Sequence, residues 1–259
     1  MSQAKVIDIR GRKLGGETPL TCSPLVGRSR ERLLAEAANV AAKKPDVIEW
    51  RVDYFEGIAD AKAVVDTGRS MRKAIGDSPL IFTRRSVKEG GEPIAIGDEE
   101  VVRLYDAVAT SGLVDFIDFE MGNDAEHVRR VRESTRAHRT RLILSYHNFG
   151  YTPGQEFMVQ RFLEAERLGA DVAKVAVMPR NRADVLVLLA ATAEADDKAR
   201  IPLISMSMGP LGSVTRMVGG VFGSALSFAV GEGSSAPGQI PIADLNAVYD
   251  VIRRAHGVR

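Results

Sequence analysis

The chain of 259 residues has one cysteine, Cys22. A single thiol cannot close an intramolecular disulfide, and it excludes a metal site built from several cysteines. Set in a strand-like run, Cys22 reads as a small core residue. Charge bias is also missing: 35 Lys and Arg stand against 34 Asp and Glu, a net charge of +1. Dense basic clusters such as Arg28-Ser29-Arg30-Glu31-Arg32 are interleaved with acids or sit on helical faces. No basic stripe of the kind nucleic acid requires is present, so no nucleic-acid partner is expected. No apolar run reaches membrane-spanning length, and Met1–Gly16 lacks an apolar signal core. The expectation is a cytoplasmic protein with no membrane partner. No Pro/Ser-rich linker or break in composition divides the chain, which reads as one domain over 1–259.

What is present is a rhythm. After a short polar segment, in which Val6, Ile7 and Ile9 and the glycines 11, 15 and 16 predict a small β-hairpin, strand-like runs alternate with amphipathic helical stretches. The strands read as 20–26, 47–53, 80–85, 114–120, 141–147, 172–177, 202–208 and 220–228. The helices fall near 29–43, 60–75, 98–111, 124–138, 155–169, 181–195, 212–218 and 241–255. Eight βα units in succession predict an α/β fold with a parallel sheet, closed as a (β/α)8 TIM barrel, and a doubly wound open sheet is the structural rival.

Residues two apart in a strand share a face. Glu49, Arg51 and Asp53 therefore share one, as do Asp118 and Glu120, Ser145 and His147, Lys174 and Ala176, and Met206 and Met208. Arg85 ends the third strand and Glu89 follows it. Polar groups thus gather at the C-terminal ends of separate strands, where barrel enzymes keep their active sites. Lys174 is the only charged residue between Val172 and Met178. An ammonium deprived of water tends towards the neutral amine, which attacks carbonyls. The bland alternative is a lysine that reaches from a buried strand to the surface. His147 is the one histidine of four that ends a strand; His127, His138 and His256 lie in helical, charge-rich stretches.

The ordered series Glu49-Trp50-Arg51-Val52-Asp53, Phe82-Thr83-Arg84-Arg85-Ser86 with Glu89-Gly90-Gly91, Ser145-Tyr146-His147-Asn148-Phe149, Lys174-Val175-Ala176-Val177-Met178-Pro179, Met206-Ser207-Met208-Gly209 with Arg216, and Ser234-Ser235-Ala236-Pro237-Gly238-Gln239 resembles the type I 3-dehydroquinate dehydratases, over roughly residues 19–255. The resemblance implies a shikimate-pathway lyase that converts 3-dehydroquinate to 3-dehydroshikimate through a Schiff base, with no metal and no organic cofactor, in a homodimer. It implies Lys174 as the nucleophile, His147 as general acid and base, and Glu89 as the group that orients or tunes His147. It implies Arg216 as the clamp on the substrate carboxylate, with Ser235 and Gln239 adding hydrogen bonds. Glu49, Arg51 and Arg85 would bind ring hydroxyls, and Met206, Met208, Phe228 and Ala236 would form apolar walls.

Other readings remain at this point. A Schiff-base aldolase acting on a sugar phosphate would share the fold and the lysine, but would need phosphate-binding amides after strands seven and eight. A non-catalytic barrel has no need of an amine nucleophile beside a general base. The stretch Gly231-Glu232-Gly233-Ser234-Ser235-Ala236 fits a loose dinucleotide fingerprint, yet it comes last in the series and no strand follows to carry a ribose-binding acid, so a glycine-hinged lid is the better reading. Asp118 and Glu120 read either as partners of Lys174 or His147 or as filling for the polar barrel top.

Overall fold

The structure, a computed structural model, describes residues 5–257; residues 1–4 and 258–259 of the expected 1–259 domain lie outside it. Strands β1 (Ile7–Ile9) and β2 (Arg12–Leu14) form the expected hairpin, with Ile7 opposite Leu14 and Ile9 opposite Arg12. Its two-residue turn has positive φ at both Arg10 (50°) and Gly11 (75°), the sense of turn whose twist matches an antiparallel strand pair.

Eight parallel strands follow: β3 (Leu20–Leu25), β4 (Val47–Arg51), β5 (Leu80–Thr83), β6 (Phe116–Glu120), β7 (Arg141–Asn148), β8 (Val172–Val177), β9 (Leu203–Ser207) and β10 (Leu226–Val230). Each pairs with its successor from β3 to β9, and β10 pairs back onto β3. The remaining seam, between β9 and β10, is held by a single parallel bridge from Leu203 to Ser224 and by the Ala225 N–H, which donates to the Leu203 carbonyl at 2.7 Å. The sheet thus closes as a (β/α)8 barrel. A two-residue strand, β11 (Ile240–Pro241), adds to the outer end of β10.

The last barrel strand starts later than its sequence suggests. Residues 219–222 form a 3₁₀ turn, and Gly223 has φ 99° with its Cα pressed against the Asp196 side chain, so the expected strand over 220–228 begins only at Leu226. Apolar composition alone did not separate a glycine-rich turn from a strand.

The helices α1 (Arg30–Ala42), α2 (Ala61–Ile75), α3 (Asp98–Thr110), α4 (Ala125–Ala137), α5 (Gln155–Arg167), α6 (Arg182–Lys198), the short α7 (Gly209–Gly212) and α8 (Val214–Val218), and α9 (Ile242–Ala255) surround the barrel. Side chains of Ser29, Asp60, Asp124 and Asn181 cap the N-termini of α1, α2, α4 and α6 by accepting backbone N–H bonds.

Strand alternation sorts the core into two layers. Trp50, Phe82, Ile117, Leu144, Ala173, Val175 and Val177 face the helices. Trp50, Phe82, Tyr105 and Phe119 form a chain of edge-to-face rings with centroids 5.3 to 5.6 Å apart. Within that chain the Tyr105 hydroxyl donates to the Asp118 carbonyl at 2.8 Å and accepts from the Arg84 N–H at 2.9 Å. The helix-side packing therefore fixes the two strand ends that carry site residues. Inside the barrel, Val47, Ile81, Phe116, Ile143, Ile204 and Leu226 fill the N-terminal end, and the hairpin residues Ile7, Ile9 and Leu14 pack against them as a plug. The C-terminal end is left for polar residues.

Candidate active site

Lys174 lies on β8 with its side chain turned into the barrel, 4 % exposed. It does not snorkel to the surface. Its Nζ donates to Asp118 Oδ2 of β6 at 2.8 Å, lies 3.9 Å from Glu49 Oε1 of β4, and sits over the Phe228 ring of β10, 4.5 Å from the centroid. Asp118 is fully buried. Its other oxygen, Oδ1, accepts from Arg85 Nη2 at 2.7 Å and from Ser145 Oγ at 2.6 Å. Burial alone would raise this carboxyl, but the charges of Arg85 and Lys174 outweigh it and hold it well below the usual carboxylate range.

Arg85 stands just beyond β5, which ends at Thr83 rather than at the expected 85. Its backbone N–H donates to Asp53 Oδ1 at 3.2 Å, and its guanidinium spans Asp118, Ser145 and, at 3.3 Å, Glu120. Asp53 also receives a two-pronged bond from Arg51, Nε to Oδ1 at 2.8 Å and Nη2 to Oδ2 at 2.7 Å. Glu49 accepts from Thr83 Oγ1 at 2.8 Å. Buried cations and anions thus alternate across the barrel mouth, and each satisfies another's desolvation. Arg84, the second cation of the pair, turns outwards and lies 3.7 Å from Asp98.

His147 and Glu89 form a second unit. Glu89 ends a 3₁₀ turn (Val87–Glu89) closed by Gly90 at φ 84°. Gly91 packs so closely on the Arg85 carbonyl that a Cβ there would lie 2.0 Å from its oxygen. This tight loop aims Glu89 Oε2 at His147, where it meets the backbone N–H at 3.1 Å and Nδ1 at 2.8 Å. Burial pushes the Glu89 carboxyl up to about 8 against the opposing pull of Arg85. Burial also holds the His147 imidazole well below its usual range, with Arg85 and Lys174 pushing the same way. Both shifts favour an uncharged pair at rest. Once Glu89 ionises, Nδ1–H donates to it and Nε2 keeps the lone pair a base requires.

Fifteen residues line one cavity of about 400 Å³, its open mouth included, at the C-terminal end of the barrel. Of the residues expected from sequence, Glu49, Arg51, Arg85, Glu89, His147, Lys174, Met206, Met208, Phe228, Ser235, Ala236 and Gln239 are among them. Arg216 is not. It lies behind the wall, 1 % exposed, with Nη1 3.4 Å from Met206 Sδ and from the Phe228 carbonyl, and Nη2 3.3 Å from the Pro237 carbonyl. Its Nε has no partner and it makes no ion pair among the described residues. Burial lowers it to about 10, which leaves it a cation near neutrality. The loop 231–239 covers this side, tied to α1 where Arg32 and Asn39 donate to Glu232 and to β4 where Arg51 Nη1 donates to the Ser235 carbonyl. Phe149, Gly90 and Ala176 complete the lining and were given no site role from sequence; the Phe149 ring and Gly90 pack so closely that a Cβ on Gly90 would lie 2.3 Å from Phe149. The left-handed backbone that makes Gly90 a glycine leaves no trace in a hydropathy pattern.

The raised Glu89 carboxyl yields a pH prediction. It is neutral below about 8 and charged above, and the charged form can only accept from Nδ1–H, which holds the His147 tautomer with Nε2 free. The kcat/KM of the free protein is therefore expected to rise with pH through about 8. Glu89→Gln should lower kcat by roughly 10²-fold and remove that rise. A variant profile that keeps it would assign the ionisation to another group.

Comparison with known proteins gives a consistent result. Residues 21–256 match the family model described as type I 3-dehydroquinase. The 3-dehydroquinate dehydratase of Albidiferax ferrireducens is 54 % identical over 258 residues, 99 % of this chain and 98 % of that protein. The crystal structure of 3-dehydroquinate dehydratase from Geobacillus kaustophilus superposes with a TM-score of 0.95 at 45 % identity, covering 96 % of this chain and 97 % of that one. That of type I 3-dehydroquinate dehydratase from Clostridium difficile, with covalently modified comenic acid, gives 0.94 at 37 % identity, covering 98 % and 100 %.

Proposed function

This chain belongs to the type I 3-dehydroquinase family, and from that premise we propose that it dehydrates 3-dehydroquinate to 3-dehydroshikimate through an imine on Lys174, with His147 moving the protons. The observation that carries the reading is the meeting, in one cavity, of a buried amine and an imidazole–carboxyl pair. Lys174 attacks the C3 ketone, and loss of the carbonyl oxygen as water leaves an iminium. The iminium withdraws electrons and acidifies C2–H. His147 Nε2 takes that proton, the resulting enamine expels the C1 hydroxyl, and His147 returns the proton to the departing oxygen. Hydrolysis then frees Lys174 and product. Met206, Met208, Phe228 and Ala236 keep bulk water from the reacting carbons, and Glu49, Arg51, Arg85, Ser235 and Gln239 supply polar partners for ring hydroxyls. Arg216 serves the substrate carboxylate. A buried guanidinium that meets, among the described residues, two carbonyls and a thioether but no carboxylate supports an anionic ligand, and engagement would release Nη2 from the Pro237 carbonyl of the 231–239 loop.

The proposal extends to a single catalytic domain, a cytoplasmic homodimer, and chemistry with no metal or organic cofactor. Among the described residues, no helix is long and apolar enough to cross a membrane.

Trapping tests the function. Incubation with 3-dehydroquinate and borohydride, followed by peptide mass analysis, is expected to give a reduced adduct on the peptide that contains Lys174. Dehydration without an adduct would sink the imine mechanism, and absence of dehydration would sink the function.

A further inference from the structure

The groups around Lys174 are unequal. Glu49 approaches from β4 at 3.9 Å, and the Phe228 ring caps Nζ from β10. From β7 comes His147, held neutral by burial, and from β3 the Cys22 thiol, which burial pushes well above its usual range and so keeps uncharged. Arg85 reaches the cluster from the loop after β5, with Asp118 between it and Lys174. Among the described residues, Asp118 alone accepts a hydrogen bond from Nζ, at 2.8 Å. It is also immobilised, because Arg85 and Ser145 occupy its other oxygen and leave Oδ2 aimed at Nζ.

We infer that Asp118 is a catalytic carboxylate which stabilises positive charge on the Lys174 nitrogen at both ends of imine formation. The inference rests on the imine reading above. The balance of the step shows why one fixed anion suits it. A protonated lysine and a ketone give a protonated imine and water: the N–C3 bond forms, the C3–O bond breaks, two ammonium protons leave in the water, and the single positive charge stays on nitrogen. A carboxylate at that nitrogen meets a cation before and after, and no net proton is exchanged with solvent. When the enamine later expels the C1 hydroxyl, the nitrogen becomes cationic again, and Asp118 favours that step too. An anion fixed before the reaction needs no reorganisation as charge develops.

The test is Asp118→Asn, which keeps the shape and removes the charge. In a folded variant, checked by thermal melt, the fraction trapped by borohydride with 3-dehydroquinate near pH 8 is expected to fall at least tenfold. Its pH profile should move down by about one to three units, the usual effect of losing an adjacent opposite charge. A structural role would lower trapping at every pH without moving the profile, and a profile that stays in place overturns the inference. A second measurement needs no variant. Cyanoborohydride reduces only the protonated imine, so trapping in the wild type should persist above the pH at which a simple alkyl ketimine loses its proton in water; trapping that fades at the ketimine's own pH overturns the inference even if Asp118→Asn fails to fold. Wild-type protein that dehydrates substrate yet yields no Lys174 adduct overturns the imine reading itself, and this inference with it.

Discussion

Lys174→Ala should lower kcat by about 10⁴- to 10⁶-fold, the range seen when a covalent nucleophile is removed, while the barrel stays folded. The folding half of that expectation comes from asymmetry in the ion cluster. Removing one partner of a buried pair is costly when it strands the other charge. Asp118 would not be stranded, because Arg85 Nη2 at 2.7 Å and Ser145 Oγ at 2.6 Å still satisfy it. The vacated space would be walled by Ala176, Met206 and Phe228 and would open to the cavity, so water can fill it. Arg216 and the residues proposed to bind ring hydroxyls are untouched, so 3-dehydroquinate should still bind. Calorimetric binding and a thermal melt, run beside the turnover assay, separate the two possibilities. If fold and activity are lost together, Lys174 is a structural cation and the imine assignment is wrong.

For His147→Ala, kcat should fall about 10²- to 10⁴-fold, the usual worth of a positioned acid–base group, with a second signature that Lys174→Ala lacks. The amine and Asp118 remain in place, so on the proposed mechanism imine formation can proceed without the imidazole, whereas C2 deprotonation and imine hydrolysis lose the proton carrier proposed for them. A covalent species should therefore accumulate and appear as a mass increase on the intact protein without borohydride. Deletion of the imidazole also leaves Glu89 with one donor instead of two, since the backbone N–H of residue 147 remains at 3.1 Å. Undiminished turnover, or a slow variant that never accumulates adduct, would remove His147 from its role.

The two predictions draw on different kinds of legibility. Lys174, His147, Glu49 and Arg51 were readable as inward-facing residues because strand alternation is a local property with a period of two. Their convergence on one end of the fold followed from the eightfold βα rhythm and from the ordered motifs that resemble the type I enzymes. Helix starts at Ser29, Asp60, Asp124 and Asn181 were equally local, since a cap is a short-range hydrogen bond. None of these readings required knowledge of which side chain meets which.

Pairing is where tertiary structure decided. Asp118 and Lys174 are 56 positions apart, and Glu89 and His147 are 58. Whether Asp118 served Lys174, served His147 or merely filled the barrel top depended on the stagger between β6, β7 and β8, which the whole closed ring sets. Arg216 was recognisable as a cation but not as one sealed behind Met206, Phe228 and Pro237, because burial depends on how the loop after β10 folds back over α8. The last strand was misplaced for a related reason. Gly223 turns the chain tightly against Asp196, and that contact exists only once α6 is docked. The sequence by itself determined the alternation, the barrel and the inventory of reactive groups, since each rests on short-range geometry. The ion network that sets the charge on those groups was decided by closure of the barrel, because electrostatic energies depend on distances and burial that arise only when remote strands are held side by side.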